Sequence, residues 1–386
     1  MLLSYKYRLY PNSQQRQGLS RILEVHRQIY NDALQERREA WRKCGVSIRY
    51  NDQANQLKEI RSFDSDAAWC NYSSLQQTLR RLNKAFDAFF RRLKAGEKPG
   101  YPRFKGKGWF KSVSYVYGDG LRLHGDRLYV QNIGLDRMFL HREIPADGLI
   151  KMAILKQDRL GNWFVIFQVE LPDPAMPMRH LPEVGIDMGL EHFATLSTGE
   201  QVENPRWFRH AEEQLGILQK KKARCKRGSN RYRELTRQIR WLHQRIANKR
   251  RDFHHQISAS LVQRYGWIAI EDLNIKGLFR SRTSKSMGDA GWSQFLQMLE
   301  YKAAWAGTSV IKVEANGTSQ ECSRCGFVIP KSLSERWHHC TNCAFTAPRD
   351  VNAALVILSR GRARTGPPRE GVPESVMAEI VGSHLL

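Results

Sequence analysis

The chain has 386 residues, with 62 Lys and Arg against 38 Asp and Glu, a formal charge of +24 and a pI near 10. It is 41% hydrophobic and 10% aromatic, which excludes a disordered chain, and its length implies two or three domains rather than one core. The charge predicts a polyanionic partner, because each Lys or Arg that neutralises a phosphate releases a counterion.

No apolar run approaches the ~20 residues of a membrane-spanning helix, and the opening MLLSYKYRLYPNSQQ lacks the apolar core of a secretory signal. Its alternation at Leu3, Tyr5, Tyr7 and Leu9 reads as a strand. A cytoplasmic setting without membrane contact is expected, so cysteines point to metal rather than disulfides. Pro11 and Asn12 open a helix whose stripe is Leu19, Ile22, Leu23, Ile29 and Leu34. YNDQANQLKEIRS reads as a second helix. The stretch from Ser73 to Gly96 reads as a third, with Leu75, Leu79, Leu82, Phe86 and Phe89 at helical spacing and Arg80, Arg81, Lys84, Arg91 and Arg92 on its other faces. GEKPGYPRFKGKGWFKSVSYVYGDG then mixes Gly, Pro and aromatics with Lys105 and Lys107. Backbone freedom, charge and stacking rings together suit a loop that faces nucleic acid. From Leu121 to Glu170 short alternating strands predict a small β-barrel. Pro172, Pro174, Pro177 and Pro182 mark a linker.

The second half opens on a hairpin, EVGIDMGLEHFATLSTG. Two long helices follow, about 207–227 and 231–265. Between Lys220 and Arg251 there are fourteen Lys and Arg and one Glu, so Lys220, Lys221, Lys222 and Arg224 are expected along phosphates. WIAIE and SVIKVEAN read as strands on either side of a helix that starts near Trp292. A last helix starts at Arg349, and the Gly- and Pro-rich tail from Gly361 reads as loose.

Two features carry chemistry. Asp187 lies within the apolar VGIDMG, Glu271 ends WIAIE, and Asp350 heads a helix with Val351, Leu355 and Leu358 expected inward and with Ala353 and Ala354 allowing close approach to a sheet. A charge in a buried strand is costly unless something offsets it, and a bound cation is the usual answer. Taken alone, Asp187 reads as well as a turn cap and Asp350 as an N-cap. The joint pattern on so basic a chain favours a hard, oxygen-rich site for Mg²⁺. Two such ions about 4 Å apart activate a water and stabilise the leaving oxygen of a phosphodiester. The second feature is Cys322-x-x-Cys325 with Cys340-x-x-Cys343, the spacing of a zinc ribbon. Four thiolates leave no open position, so one structural Zn²⁺ is expected. His338 and His339 read as polar surface residues beside it.

These motifs (GIDMGLEHFATLSTG, IEDLNIKGL, TSQECSRCG, CTNC and RDVNAA, in that order, with YKYRLYPNSQQ and LQQTLRRLNKAFDAFFRR…GYPRFK before them) resemble the TnpB family of prokaryotic insertion sequences. The resemblance covers nearly the whole chain up to about Arg360. It implies an α/β, mixed α+β protein. A β-barrel wedge domain (1–10 and 96–172) is interrupted by a helical recognition domain (11–95). A linker (173–182) leads to an RNase H-like RuvC nuclease domain (183–314 and 349–360) with a zinc-ribbon insertion (315–348) and a tail (361–386). It also implies an RNA-guided, Mg²⁺-dependent DNA endonuclease, related to type V CRISPR effectors. Such a protein takes a structured guide RNA from the transposon end, acts as a monomer with that RNA, and cuts double-stranded DNA beside a short target-adjacent motif. Asp187, Glu271 and Asp350 match the catalytic carboxylates, and Cys322, Cys325, Cys340 and Cys343 the zinc ligands. Gln76, Gln77, Arg80 and the loop at Ser112 and Ser114 are candidates for reading the adjacent motif, although a solvated helix face explains them as well. Arg349 either steadies substrate phosphate or pairs with a carboxylate. Two other readings stay open: a transposase that joins DNA ends with the same three carboxylates, and a non-catalytic nucleic-acid-binding regulator.

Overall fold

The computed structural model describes residues 1–173, 181–274, 284–332 and 335–365. It divides into two compact units, Met1–Asp173 and Pro174–Leu386. Most of the expected linker, 174–180, and most of the expected tail, 366–386, lie outside the described residues.

In the first unit seven antiparallel strands curve into a nearly closed barrel. They are β1 (Leu2–Leu9), β2 (Ser112–Val116), β3 (Leu121–His124), β4 (Arg127–Val130), β5 (Gly134–Phe139), β6 (Leu149–Gln157) and β7 (Trp163–Glu170), in the order β2-β6-β7-β1-β5-β4-β3. β1 pairs with β7 along its whole length. The edges β2 and β3 are joined by a tight turn, where Gly118 N–H donates to Leu121 C=O at 2.9 Å and Leu123 N–H to the Tyr117 hydroxyl at 3.2 Å. Strict alternation fills the interior: Trp163, Val165, Phe167 and Val169 of β7 are buried, and so are Tyr5 and Tyr7 of β1.

Between β1 and β2 the chain runs through α1 (Ser13–Cys44), α2 (Tyr50–Phe63), α3 (Ser65–Trp69) and α4 (Tyr72–Lys94). Asn12 caps α1 in a full capping box with Gln15, which satisfies two otherwise orphaned donors. The α1 stripe and Leu75, Leu79, Leu82 and Phe86 of α4 are buried. Gly96, at φ +68°, takes the left-handed turn just past the end of α4.

The second unit is built on a five-stranded sheet. It comprises β8 (Glu183–Asp187), β9 (His192–Leu196), β10 (Gln201–Glu203), β11 (Trp267–Glu271) and β12 (Ser309–Val313), in the order β10-β9-β8-β11-β12. β8, β11 and β12 are parallel neighbours, and β9 runs antiparallel to both β8 and β10, which is the RNase H-like sheet. α5 (Trp207–Ala223) and α6 (Asn230–Arg264) form a helical hairpin, followed after β11 by α7 (Ser284–Ala290) and α8 (Trp292–Ala306). One sheet face packs Val184, Ile186, Ile268 and Ile270 against Leu261 and Val262 of α6 and Phe295 and Leu299 of α8. β13 (Trp337–His339) and β14 (Thr346–Pro348) form a small hairpin that leads into α9 (Arg349–Thr365) on the other face.

α9 differs from expectation in two ways. Its buried face is Asn352, Ala353, Ala354, Val356 and Ile357, while Val351, Leu355 and Leu358 are only half-buried. The reason is close approach: a Cβ on Gly185 of β8 would lie 2.0 Å from the Ala354 carbonyl oxygen. The Leu358 nitrogen and Cβ lie at the same contact, 2.8 and 2.9 Å from that position, and Ala353 and Ala354 are both buried, as their small size predicts. The helix also continues past Gly361 to Thr365. A Cβ on Gly361 would meet the Trp267 ring at 2.4 Å, and Arg362 pairs with Glu183 at 2.6 Å.

Candidate carboxylate site and cysteine cluster

Asp187 is the last residue of β8 and Glu271 the last of β11. The two strands are parallel neighbours with Ile270 beside Ile186, so the acids end adjacent strands side by side. Side chains alternate faces along a strand. Ile186 and Ile270 face α6 and α8, so Asp187 and Glu271 face the other way, with Gly185, Trp267 and Ala269, toward α9. Asp350 lies one turn before Ala354, the residue pressed onto Gly185. Helix start and strand ends therefore share one corner, at the carboxyl edge of the parallel strands where ligands of open α/β sheets bind.

The electrostatics agree. Burial, with the charges of Glu271 and Asp350 added, raises the Asp187 carboxyl from 3.8 to about 8, and Arg349 opposes this. Glu271 is 6% exposed and also pushed up by burial, while the Thr318 hydroxyl and the Arg360 charge pull it down. Like charges that face one corner, two of them raising the carboxyl of the third, resist joint ionisation unless a cation enters. The donors are all carboxylate oxygens, so the group fits Mg²⁺ better than a soft metal. Arg349 donates from Nε to Asp350 Oδ1 at 3.2 Å and from a terminal nitrogen to the Glu335 carbonyl at 3.1 Å, so it is engaged within the protein.

The four cysteines are the one group of three or more His, Cys, Asp or Glu drawn together as a potential metal cage among the described residues, with all ligand atoms within 4.8 Å. Cys322 Sγ lies 3.7 Å from Cys343 Sγ, and Cys325 Sγ 3.5 Å from Cys340 Sγ. Tetrahedral Zn–S bonds of about 2.3 Å require sulfurs ~3.8 Å apart, so the cluster fits zinc. The two knuckles repeat one geometry. Gly326 N–H bonds back to Cys322 C=O and Ala344 N–H to Cys340 C=O, and both residues have positive φ, +74° and +57°. His338 departs from expectation. It is fully buried, because in the alternation of β13 it points inward between exposed Trp337 and His339, beside Phe345 and in contact with Lys331.

The other candidates are more scattered. Lys220, Lys221 and Arg224 are exposed at the end of α5, and Lys222 sits over the Tyr232 ring at 4.9 Å. The hairpin core of Leu215, Leu242 and Ile246 leaves the charges outward. Arg80 is exposed and reaches the Tyr50 hydroxyl at 3.1 Å, while Gln76 and Gln77 are half-buried on α4. Ser112 is occupied by Arg81 at 2.8 Å, and Ser114 shares its half-buried face of β2. The Lys105 backbone is clasped by Asn31, its ammonium lies 5.7 Å from the Tyr30 ring centroid, and Lys107 is exposed. Sequence reading missed Asn352, which is fully buried in α9. It accepts from Ser323 N–H at 3.0 Å and donates to the Glu321 carbonyl at 2.7 Å, tying the first knuckle to the helix of Asp350. An amide on the apolar side of a helix is the signal that would have found it.

Family profiles match three parts of the chain: "Probable transposase" (OrfB of IS605) over residues 166–282, "Cas12f1-like, TNB domain" over 292–357, and "Helix-turn-helix domain" (of the same OrfB) over 1–45. Residues 1–45 hold one strand and one 32-residue helix. The chain is 32% identical over 369 residues to a "Putative RNA-guided DNA endonuclease" of Streptomyces pristinaespiralis, covering 93% of this chain and 89% of that one. It is 30% identical over 384 residues to "Putative RNA-guided DNA endonuclease InsQ" of Escherichia coli K12, covering 94% and 93%. In fold it resembles a Cas12f1–sgRNA–target DNA complex structure (TM-score 0.56, 14% identity, 90% of this chain and 83% of that one). It likewise resembles the mini-RNA-guided endonuclease CRISPR-Cas_phi3 (TM-score 0.56, 9% identity, 96% and 94%).

Proposed function

The chain belongs to the TnpB family, and from that membership we propose that it is an RNA-guided DNA endonuclease of a transposable element. The observation that carries the reading is the shared corner of Asp187, Glu271 and Asp350, on a chain of charge +24 that is similar over most of its length to proteins named as RNA-guided endonucleases.

Mg²⁺ bound by these carboxylates would supply a polarised water and charge neutralisation at the scissile phosphate. The chain's own residues do the rest. The sheet ends fix Asp187 and Glu271, and the close packing of α9 on Gly185 fixes Asp350 against them. Asp187 must be ionised to hold a cation, so its proton leaves as the cation enters. Arg349 restrains Asp350 and leaves a positive charge beside the corner. The cysteine cluster holds one structural Zn²⁺. The basic outer faces of α5 and α6 carry phosphate backbone, while base pairing with a guide RNA from the element end reads the target beside its short adjacent motif.

The test is to purify the protein from cells carrying its flanking DNA and to sequence the RNA bound to it. One dominant species, a constant part joined to a variable stretch, is the expected result. Heterogeneous RNA, or none on folded protein, overturns the guided reading. The family description "Probable transposase" favours a second reading, strand transfer at the same carboxylates. Joined rather than cut transposon-end DNA would identify it.

A further inference from the structure

Between the end of β12 and the first cysteine, the chain makes a compact loop from Glu314 to Glu321. One guanidinium clamps it. Arg360 of α9 donates from one terminal nitrogen to the carbonyls of Glu314 and Asn316, both at 2.8 Å, and from the other to the Glu321 carboxylate at 2.6 Å. Within the loop, Gly317 takes φ +78°, and its carbonyl accepts from Gln320 and Glu321 N–H at 2.9 and 3.0 Å. Thr318, 4% exposed, is thereby held under the sheet end, four residues before Cys322. Its hydroxyl lies 2.6 Å from Glu271 Oε1 and 3.2 Å from the Ala315 carbonyl. A hydroxyl has one proton to give. The ionised carboxylate at the shorter distance is the stronger acceptor.

We propose that Thr318 is a positioning residue for Glu271. Its hydroxyl fixes one carboxylate oxygen so that the other is aimed into the corner shared with Asp187 and Asp350. The inference rests on the carboxylate reading above and adds to it a partner outside the three acids. Groups that orient a metal-binding carboxylate typically govern 10–100-fold in metal affinity. The proposal also gives the loop before the cysteines a function. The segment that enters the first knuckle carries the hydroxyl that orients Glu271, and Arg360 and Asn352 brace that segment from the helix of Asp350.

The test titrates Mn²⁺ calorimetrically into the full-length, zinc-loaded chain and its variants Thr318→Val, Thr318→Ser and Glu271→Gln, with the melting temperature of each recorded. Val keeps the shape and removes the hydroxyl, whereas Ser keeps the hydroxyl. The expected result is Mn²⁺ binding weakened at least about tenfold by T318V and restored to near wild type by T318S, with both variants folded. T318V that binds like wild type while E271Q weakens binding overturns the proposal and leaves the carboxylate reading standing. E271Q that binds like wild type sinks both. Weakening by T318S equal to that by T318V, together with a lowered melting temperature, assigns Thr318 to packing alone and also overturns the proposal.

Discussion

Near pH 8 the Asp187 carboxyl of the metal-free protein is about half protonated, because burial comes first and the neighbouring acids add to it. In the unfolded chain the same group loses its proton near 3.8. Above that value the unfolded state binds fewer protons than the folded one, so the contribution of Asp187 to stability falls as pH rises from about 4 to about 8 and is level beyond. A cation that requires the ionised form reverses the cost. Mg²⁺ is therefore expected to raise the melting temperature more at pH 8 than at pH 5.5, where protons compete for the site. Asp187→Asn is expected to melt higher than wild type at pH 8 without Mg²⁺, to lose the response to Mg²⁺, and to cut DNA at least about 100-fold more slowly. Melting scans with and without Mg²⁺, and a plasmid assay, check all three. A variant that melts lower and still cuts would remove Asp187 from the site.

Among the elements, the contact of β8 with α9 sets the geometry of the corner. Gly185→Ala puts a Cβ 2.0 Å from the Ala354 carbonyl and 2.8 Å from the Leu358 nitrogen, both backbone atoms that cannot swing aside. Overpacking of this kind costs about 1–3 kcal/mol, and relief by lifting α9 moves Asp350 from its partners. Denaturant unfolding should show the loss, and cleavage should fall further than stability alone explains. Cys340→Ser opens the cysteine cluster, so zinc content should fall and the melting temperature with it, while the Mg²⁺ concentration needed for cutting changes little. A normal melting point in that variant would contradict the structural role. The same elements explain what the sequence disclosed. The strand-end places of Asp187 and Glu271 were legible because a charge at the end of an apolar strand is a local anomaly, and the cysteine cluster because its spacing is itself the signal. The close approach of α9 was legible in Ala353 and Ala354, and Leu358 packs on the sheet as expected, but the burial of Val356 and Ile357 in place of Val351 and Leu355 was not, because it depends on how the helix is turned on a glycine 169 residues before Ala354. Thr318 opens the TSQECSRCG motif, but the motif does not disclose its role, since the meaning of its hydroxyl depends on a strand 47 residues away.

For the molecule as a whole, the excess charge makes binding a function of salt. Replacing Lys220, Lys221, Lys222 and Arg224 with alanine should weaken nucleic-acid binding whatever the sequence. It should also flatten the dependence of log K on log salt by about one unit for each phosphate that the variant no longer neutralises. Filter binding across a salt series measures it, and an unchanged slope would place the phosphates elsewhere. The division of the corner among distant segments has a further consequence, in time rather than space. Asp350 follows Asp187 by 163 residues and Glu271 by 79. At roughly 5–20 residues per second, the ribosome makes the third acid about 10–30 seconds after the first. During that interval β8 has no α9 to pack on, and a nascent chain holds two of its three acids at most. On the carboxylate reading proposed above, the site is incomplete in the nascent chain until α9 has been made and has docked on β8.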